Sequence, residues 1–198
     1  MNKQWSMLID LNRCVGCQSC TVSCKLENKV SVNHFRTWVS DIEVGTYPDT
    51  RRVFLPQLCN QCEKAPCIPV CPVKATWRND EGIVVIDAKK CIGCGACVKS
   101  CPYGARHLDT QTHKADKCDL CAHRVAEHLL PVCVESCVGN ARIFGDINDE
   151  TSEISQRLKD TPHVVLNKEF QTSPKVYYIG VGNTKLTSTP AQKSYFGS

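Results

Sequence analysis

The sequence has little that would let it cross a membrane or bind nucleic acid. Its longest aliphatic run, residues 82–86, is far too short to span a bilayer. The formal net charge is only +4 over 198 residues, and there is no long basic run. The first 14 residues contain neither the apolar segment nor the paired arginines of an export signal. We therefore expect no nucleic-acid partner and no direct membrane span.

Aromatic residues and catalytic patterns are scarce as well. Only 7% of the residues are aromatic, and the hydrophobic content of 42% includes every cysteine. A core built from these side chains would be thin, so we expect bound groups to help hold the fold. No serine, cysteine or carboxylate arrangement indicates a catalytic site, and we predict no catalytic residue.

Cysteine is what the sequence has in abundance: 16 residues, which indicates a metal or disulfide framework. The cysteines form four groups: Cys14, Cys17, Cys20, Cys24; Cys59, Cys62, Cys67, Cys71; Cys91, Cys94, Cys97, Cys101; and Cys118, Cys121, Cys133, Cys137. The third group, followed by Pro102, has the C-x₂-C-x₂-C-x₃-C-P spacing of bacterial two-cluster ferredoxins. The other groups depart from it, by Lys25 in place of proline, by a longer second gap, or by an eleven-residue gap with Val138 in place of proline.

The groups are also arranged as a repeat. Residues 9–17 match residues 86–94 at an offset of 77, and groups two and four share a CxxC pair, a gap and a C-x₃-C pair. A duplicated unit is the simplest account. Short strands are predicted before groups one and three, at residues 7–10 and 83–87.

In the ferredoxin spacing the fourth cysteine binds the cluster of the other loop. Applied here, groups two and three exchange their last cysteines, and so do groups one and four. The predicted [4Fe–4S] quartets are Cys14, Cys17, Cys20 and Cys137 (cluster 1); Cys24, Cys118, Cys121 and Cys133 (cluster 2); Cys59, Cys62, Cys67 and Cys101 (cluster 3); and Cys71, Cys91, Cys94 and Cys97 (cluster 4). No cysteine is left over, so every iron would have a protein thiolate and none would be open to substrate. This predicts single-electron transfer between four clusters and leaves bond chemistry to another subunit.

Three alternatives remain at this point. Sixteen cysteines could form disulfides, although the repeated two-residue spacing suits mutual bridging poorly. Four zinc sites could use the CxxC pairs, although groups one and three present triplets. One of the sites could hold a [3Fe–4S] cluster if a cysteine were spare. Zinc or disulfides would make the protein a stapled binding module without redox function.

The sequence resembles a known family beyond its cysteines. The stretches that carry the resemblance are MLIDLNRCVGCQSCTVSC, GTYP, FLP, CNQC, VCPVKAT, EGIVVID, ADKCDLCAHR, LLPVCVESCVGNARI and KVYYI. They resemble the four-cluster iron–sulfur subunit of molybdopterin oxidoreductases, the dimethyl sulfoxide, polysulfide, thiosulfate and tetrathionate reductase type, and most of all the tetrathionate type.

This resemblance implies a function within a complex. The chain would pass electrons between a quinol-oxidising membrane-anchor subunit and a molybdopterin-containing catalytic subunit that reduces a sulfur compound such as tetrathionate. The same role in a polysulfide, thiosulfate or arsenate reductase, or in a hydrogenase or formate dehydrogenase complex, is the alternative. The tetrathionate type usually carries an export leader, whereas this sequence starts almost at its first cysteine group. We expect a membrane-associated complex on the periplasmic or outer face, exported with or like its partner, with the cytoplasmic face as the alternative.

The resemblance also implies an α+β fold of two interleaved ferredoxin-like halves with pseudo-twofold symmetry. Residues 1–36 and 108–147 would form the first half, with cysteine groups one and four. Residues 57–107 would form the second half, and 37–56 an insertion. Residues 148–198 would form a C-terminal segment, partly helical near Ile154 and Leu158. Apart from the apolar residues 176–179, the Ser, Thr, Pro and Lys content from Thr172 onward predicts an extended tail that is loose or binds a partner.

Overall fold

A computed structural model describes residues 3–182, 185–189 and 191 of the chain. Its strands are β1 (Trp5–Asp10), β2 (Thr37–Thr46), β3 (Asp49–Leu58), β4 (Thr76–Arg78), β5 (Val84–Ile86), β6 (His107–Leu108), β7 (Ala115–Asp116), β8 (Arg142–Asp146) and β9 (Val176–Ile179). Its α-helices are α1 (Ser19–Glu27), α2 (Ala96–Lys99), α3 (Ala122–Ala126), α4 (Val132–Glu135) and α5 (Glu153–Asp160). The mixed helix and strand content agrees with the predicted α+β class. No helix in these ranges is long and apolar enough to cross a membrane.

The largest sheet has three strands with β1 at its centre. β8 pairs with β1 antiparallel, and β9 pairs with it parallel, from Met7 opposite Val176 to Asp10 opposite Ile179. A central strand covered on both faces should read as a continuous apolar run, and Met7, Leu8 and Ile9 are all fully buried. The strand predicted at residues 7–10 is confirmed.

The described part of the predicted tail is extended, as expected, but it packs against the core and is not loose. β9 lies inside this sheet with Val176 and Tyr178 fully buried, and Leu186 further along is buried too. The backbone carbonyl of Thr189 accepts a hydrogen bond from Trp38 Nε1 at 3.1 Å. The segment is therefore part of the core, because four apolar residues suffice to complete a sheet edge. Residues 192–198 of the predicted tail lie outside the described residues.

A second strand pair repeats the geometry of the first. β4 pairs antiparallel with β5, and Thr76 lies opposite Ile86 just as Arg142 lies opposite Ile9. Thr76 and Arg142 each follow the last cysteine of their group by five residues. The main chain repeats too: Asp10 N donates to Ala141 O and Asp87 N donates to Ala75 O, both at 2.8 Å.

Two hairpins precede the second and fourth cysteine groups. The segment predicted as an insertion at 37–56 is the long hairpin β2–β3, which continues to Leu58, directly before Cys59. The short hairpin β6–β7 ends at Asp116, two residues before Cys118. The insertion is therefore an elongated hairpin in the place where the other half carries a short one.

Cysteines make up much of the core. The main cluster of buried residues contains eight of them, Cys20, Cys59, Cys62, Cys67, Cys91, Cys97, Cys118 and Cys133. A smaller apolar cluster forms under α5 from Leu8, Ile143, Ile154 and Ile179. Helix α5 confirms the helix predicted near Ile154, and the Ser152 hydroxyl caps it by accepting a bond from Ser155 N at 3.3 Å.

Candidate metal centres

The first cysteine group begins in a loop and continues onto a helix. Cys14 and Cys17 lie in the loop after β1, and Cys20 and Cys24 lie on α1. Residues four apart on a helix share a face, so Cys20 and Cys24 point in similar directions and can serve neighbouring sites. Gln18 enters the helix in the left-handed conformation, which makes the turn from loop to helix tight.

One cavity is lined by thiols of the first and the fourth cysteine group. Four of the residues that line it are Cys14, Cys17, Cys20 and Cys137. Helix α1, which carries Cys20, is joined to the end of α4 just before Cys137 by a 2.7 Å hydrogen bond between the Ser23 and Ser136 hydroxyls. The four members are those of predicted cluster 1, although 117 residues separate the third from the fourth.

A second cavity collects the members of predicted cluster 3. Its lining includes Cys59, Cys62, Cys67 and Cys101, together with Tyr103 and Arg106. The Tyr103 hydroxyl lies 2.5 Å from the Thr172 hydroxyl, and both hydrogen-bond toward Cys62. Within the described ranges, no three His, Cys, Asp or Glu side chains are arranged to hold a single metal ion.

The remaining eight cysteines are placed less directly. Cys24 interacts electrostatically with Cys133 and Cys121, and Cys118 with Cys24 and Cys133, which brings the members of predicted cluster 2 together. The members of predicted cluster 4, Cys71, Cys91, Cys94 and Cys97, lie at positions equivalent by the repeat to those of the first cavity. Ala75 N donates to Cys71 Sγ at 3.2 Å, as Ala141 N donates to Cys137 Sγ at 3.2 Å.

All sixteen cysteines are free thiols, and burial raises the pKa of several of them. Burial raises the pKa of Cys24 and of Cys62 to about 12, and that of Cys133 to about 11. Exposed Cys17 differs, because its hydrogen bond with the Ser19 hydroxyl, at 3.5 Å, lowers its pKa. Cys24, Cys62 and Cys133 would keep their protons at neutral pH, so a bound metal must displace them.

Three buried cations lie among the thiols. Arg142 and Arg106 are each 3% exposed and Lys117 is 2% exposed. In the part of the chain that the structure describes, none of them forms an ion pair with a carboxylate. A buried charge is costly unless it is paired, and neutral disulfides could not pair these three. Clusters bound by four thiolates are anionic. The cysteine thiols and the three buried cations without carboxylate partners therefore fit iron–sulfur clusters.

Sequence reasoning did not identify these cations, because an isolated Arg or Lys in a sequence looks like a solvated one. The one available signal is that Arg142 and Arg106 both follow the last cysteine of a group by five residues. Sequence reasoning also missed that His34 and His107 stack, with ring centroids 4.5 Å apart. Asn28 was missed too; its Nδ2 donates to Cys24 Sγ at 3.5 Å and Cys121 Sγ at 3.8 Å.

Comparison with known proteins places the chain among 4Fe–4S proteins. A 4Fe–4S dicluster domain matches residues 50–147, and a 4Fe–4S binding domain matches residues 5–26. The fold and site therefore define a ferredoxin-like 4Fe–4S protein, and the zinc and disulfide alternatives are set aside.

Relatives match along almost the whole chain. The B subunit of tetrathionate reductase from Salmonella typhimurium is 50% identical over 188 residues, covering 93% of this chain and 75% of that protein. The B component of polysulfide reductase from Wolinella succinogenes is 38% identical, covering 90% and 95%. The putative iron–sulfur B subunit of a dimethyl sulfoxide reductase from Halobacterium salinarum is 38% identical, covering 88% and 78%. The protein belongs to this family of iron–sulfur B subunits of reductase complexes, which carry electrons and are not the catalytic subunits.

Proposed function

We propose that the chain holds four [4Fe–4S] clusters and passes single electrons between a quinol-oxidising membrane subunit and a molybdopterin catalytic subunit that reduces a sulfur compound such as tetrathionate. The observation that carries the proposal is the pair of cavities, lined by Cys14, Cys17, Cys20 and Cys137 and by Cys59, Cys62, Cys67 and Cys101. Both sets combine three cysteines of one group with the last cysteine of another, as the ferredoxin rule requires.

The four quartets of the sequence prediction are the proposed ligand sets. Clusters 1 and 3 are supported by the two cavities, cluster 2 by the mutual electrostatic contacts of its thiols, and cluster 4 by the repeat. Each bound [4Fe–4S] cluster accepts and gives up one electron. The chain's own residues hold the thiolates in place, exclude water with the surrounding core, and leave no coordination position for substrate.

The proposed architecture is two interleaved ferredoxin-like halves related by a pseudo-twofold axis. It is supported by the matching registers of β1–β8 and β5–β4, and by a hairpin before each of cysteine groups two and four. In this arrangement residues 1–36 and 108–147 form one half and residues 57–107 the other.

Neighbouring thiols support an order for the electron path. Cys20 acts electrostatically on Cys133, which joins clusters 1 and 2. Cys59 acts on Cys118, which joins clusters 3 and 2. Clusters 3 and 4 exchange their last cysteines, so the path runs 1–2–3–4. Clusters 1 and 4 are then the ends that face partners, and Cys17 and Cys94 are both exposed there.

Tetrathionate as acceptor is supported by the relative from Salmonella typhimurium, and polysulfide, the second candidate, by the relative from Wolinella succinogenes. The membrane subunit, the catalytic subunit and a position on the outer membrane face complete the proposal. The two partner subunits are supported by the relatives, which are B subunits of reductases.

Anaerobic purification of the complex tests the proposal. We expect about 16 irons per copy of this chain, from four clusters of four, and molybdopterin in a partner. A quinol should bleach the visible absorption of the clusters, and tetrathionate should restore it. Restoration by polysulfide alone would select the second candidate. Nickel in the partner would point to a hydrogenase, and an iron-free chain would overturn the proposal.

A further inference from the structure

The first buried cation, Arg142, bridges two cysteine groups. Its Nη2 lies 3.4 Å from Cys20 Sγ and its Nη1 lies 3.6 Å from Cys133 Sγ. Nη2 also donates to the Thr37 hydroxyl at 2.9 Å. Cys20 belongs to proposed cluster 1 and Cys133 to cluster 2, so this guanidinium lies at the step between them.

The second cation, Arg106, lies in the other half and lines the cavity of proposed cluster 3. It follows Cys101 by five residues, as Arg142 follows Cys137, and its Nη2 also donates to a threonine, Thr76, at 3.0 Å. Its charge interacts with Cys67 of proposed cluster 3 and with Cys97 of cluster 4. Its Nε and Nη1 atoms have no hydrogen-bond partner among the described residues. Sulfur atoms of bound clusters would supply the missing acceptors.

The third cation, Lys117, lies at the middle step. Its Nζ donates to the carbonyl of Cys118 at 2.8 Å and also to the carbonyl of Val84. Cys118 belongs to proposed cluster 2. On the other side, the positive charge of Lys117 acts on Cys67 of proposed cluster 3.

We propose that these three residues are fixed positive charges along the electron path, one at each step between neighbouring clusters. Each raises the reduction potentials of the two clusters that it separates. The inference rests on the proposed function. Adding an electron makes the negative charge beside each cation larger, and a fixed positive charge in a dry interior stabilises that change. Arg142 contacts ligands of two clusters. Arg106 lies in the cavity of cluster 3 and Lys117 bonds to the main chain of a cluster 2 ligand, and each acts electrostatically on a ligand of a neighbouring cluster. Each cation therefore keeps both clusters able to accept an electron despite their mutual repulsion.

The experiment compares charge-removing and charge-keeping variants of each cation. Arg142→Met, Arg106→Met and Lys117→Met remove the charge at similar volume, and Arg142→Lys, Arg106→Lys and Lys117→Arg keep it. The readouts, for the chain in its anaerobically purified complex, are iron content and potentials from an EPR-monitored redox titration. Each Met variant should lower the equilibrium constant for reducing its two adjacent clusters by about tenfold, or about 59 mV for a one-electron couple.

The charge-keeping variants should stay within about threefold of the wild type, which is about 28 mV by the same conversion. Arg52→Met is the control, because Arg52 pairs with Asp41 on the exposed hairpin and its loss should leave every potential unchanged. If a Met variant loses iron, recovery of iron in the matching Lys or Arg variant still supports the role of charge. Unchanged potentials at full iron content, or equal damage in both kinds of variant, would overturn the inference. A wild-type chain without four cluster signals would instead overturn the proposed function.

Discussion

Two units of the chain begin with a strand and a C-x₂-C-x₂-C-x₃-C group, one at Cys14 and one at Cys91. Their structures are nearly the same around the proposed clusters and differ in the flanking helices and strands. In the first unit β1 leads into the Cys14 loop and α1, and in the second β5 leads into the Cys91 loop and α2. Ile9 and Ile86, equivalent by the repeat, each pair with the residue five positions after a last cysteine.

Away from the ligands the two units diverge. Helix α1 has nine residues and α2 has four. β1 has a third strand beside it, β9, whereas β5 pairs with β4 alone. Four thiols around one proposed cluster would fix the loop geometry in both units, and this constraint does not extend to the flanking elements. The flanking elements are therefore where each half could adapt to a different neighbour.

The largest expected effect comes from breaking the exchange of last cysteines between groups. Cys17→Ser combined with Cys137→Ser removes two ligands of proposed cluster 1. We expect loss of about four of the roughly 16 irons and the disappearance of one EPR signal, with the other three signals intact.

The matched control uses Cys94, which is equivalent to Cys17 by the repeat and, like Cys17, is exposed. Cys94→Ser combined with Cys137→Ser removes one ligand from each of clusters 4 and 1, so two EPR signals should change. Two altered signals in the Cys17 and Cys137 double variant would contradict the proposed quartets.

A smaller effect, on stability, is expected from alanine at the equivalent glycines of the two loops. Gly16 and Gly93 have φ of +68° and +70°, so alanine is strained at either position. A Cβ at Gly16 would lie 2.6 Å from the Phe54 ring, which can rotate away, whereas one at Gly93 would lie 2.2 Å from the His113 main-chain oxygen. We expect Gly16→Ala to cost roughly 1–2 kcal/mol and Gly93→Ala roughly 3–4 kcal/mol.

Thermal unfolding under anaerobic conditions, followed by loss of the visible cluster absorption, measures the difference. Each kcal/mol should lower the midpoint by roughly 2–4 °C for a chain of this size. Equal midpoints for the two variants would mean that the chain around His113 moves as easily as the Phe54 ring.

The sequence predicted what short-range patterns determine. Cysteine spacing, the repeat, the strands at 7–10 and 83–87 and the helix at Ile154 all depend on neighbouring residues. The place of β9 could not be predicted this way, since four apolar residues in a Ser, Thr and Lys background find their partner about 170 residues away. The burial of Arg142 and Arg106 could not be predicted for a related reason, because it depends on thiols contributed by two distant groups.

The smallest effect tests the strand that only the first unit has. Tyr178 is fully buried in β9, and its hydroxyl donates to the Pro56 carbonyl at 2.9 Å. Tyr178→Phe leaves that carbonyl without its donor and should cost about 1–2 kcal/mol, which lowers the thermal midpoint by roughly 2–8 °C. Tyr177→Phe is the control, because its half-buried ring points to the other face of the strand.

Since β9 supports β1 and not β5, the EPR signals of clusters 1 and 2 should disappear on heating before those of clusters 3 and 4. Simultaneous loss of all four signals would show that the two halves unfold as one unit despite their different flanking strands.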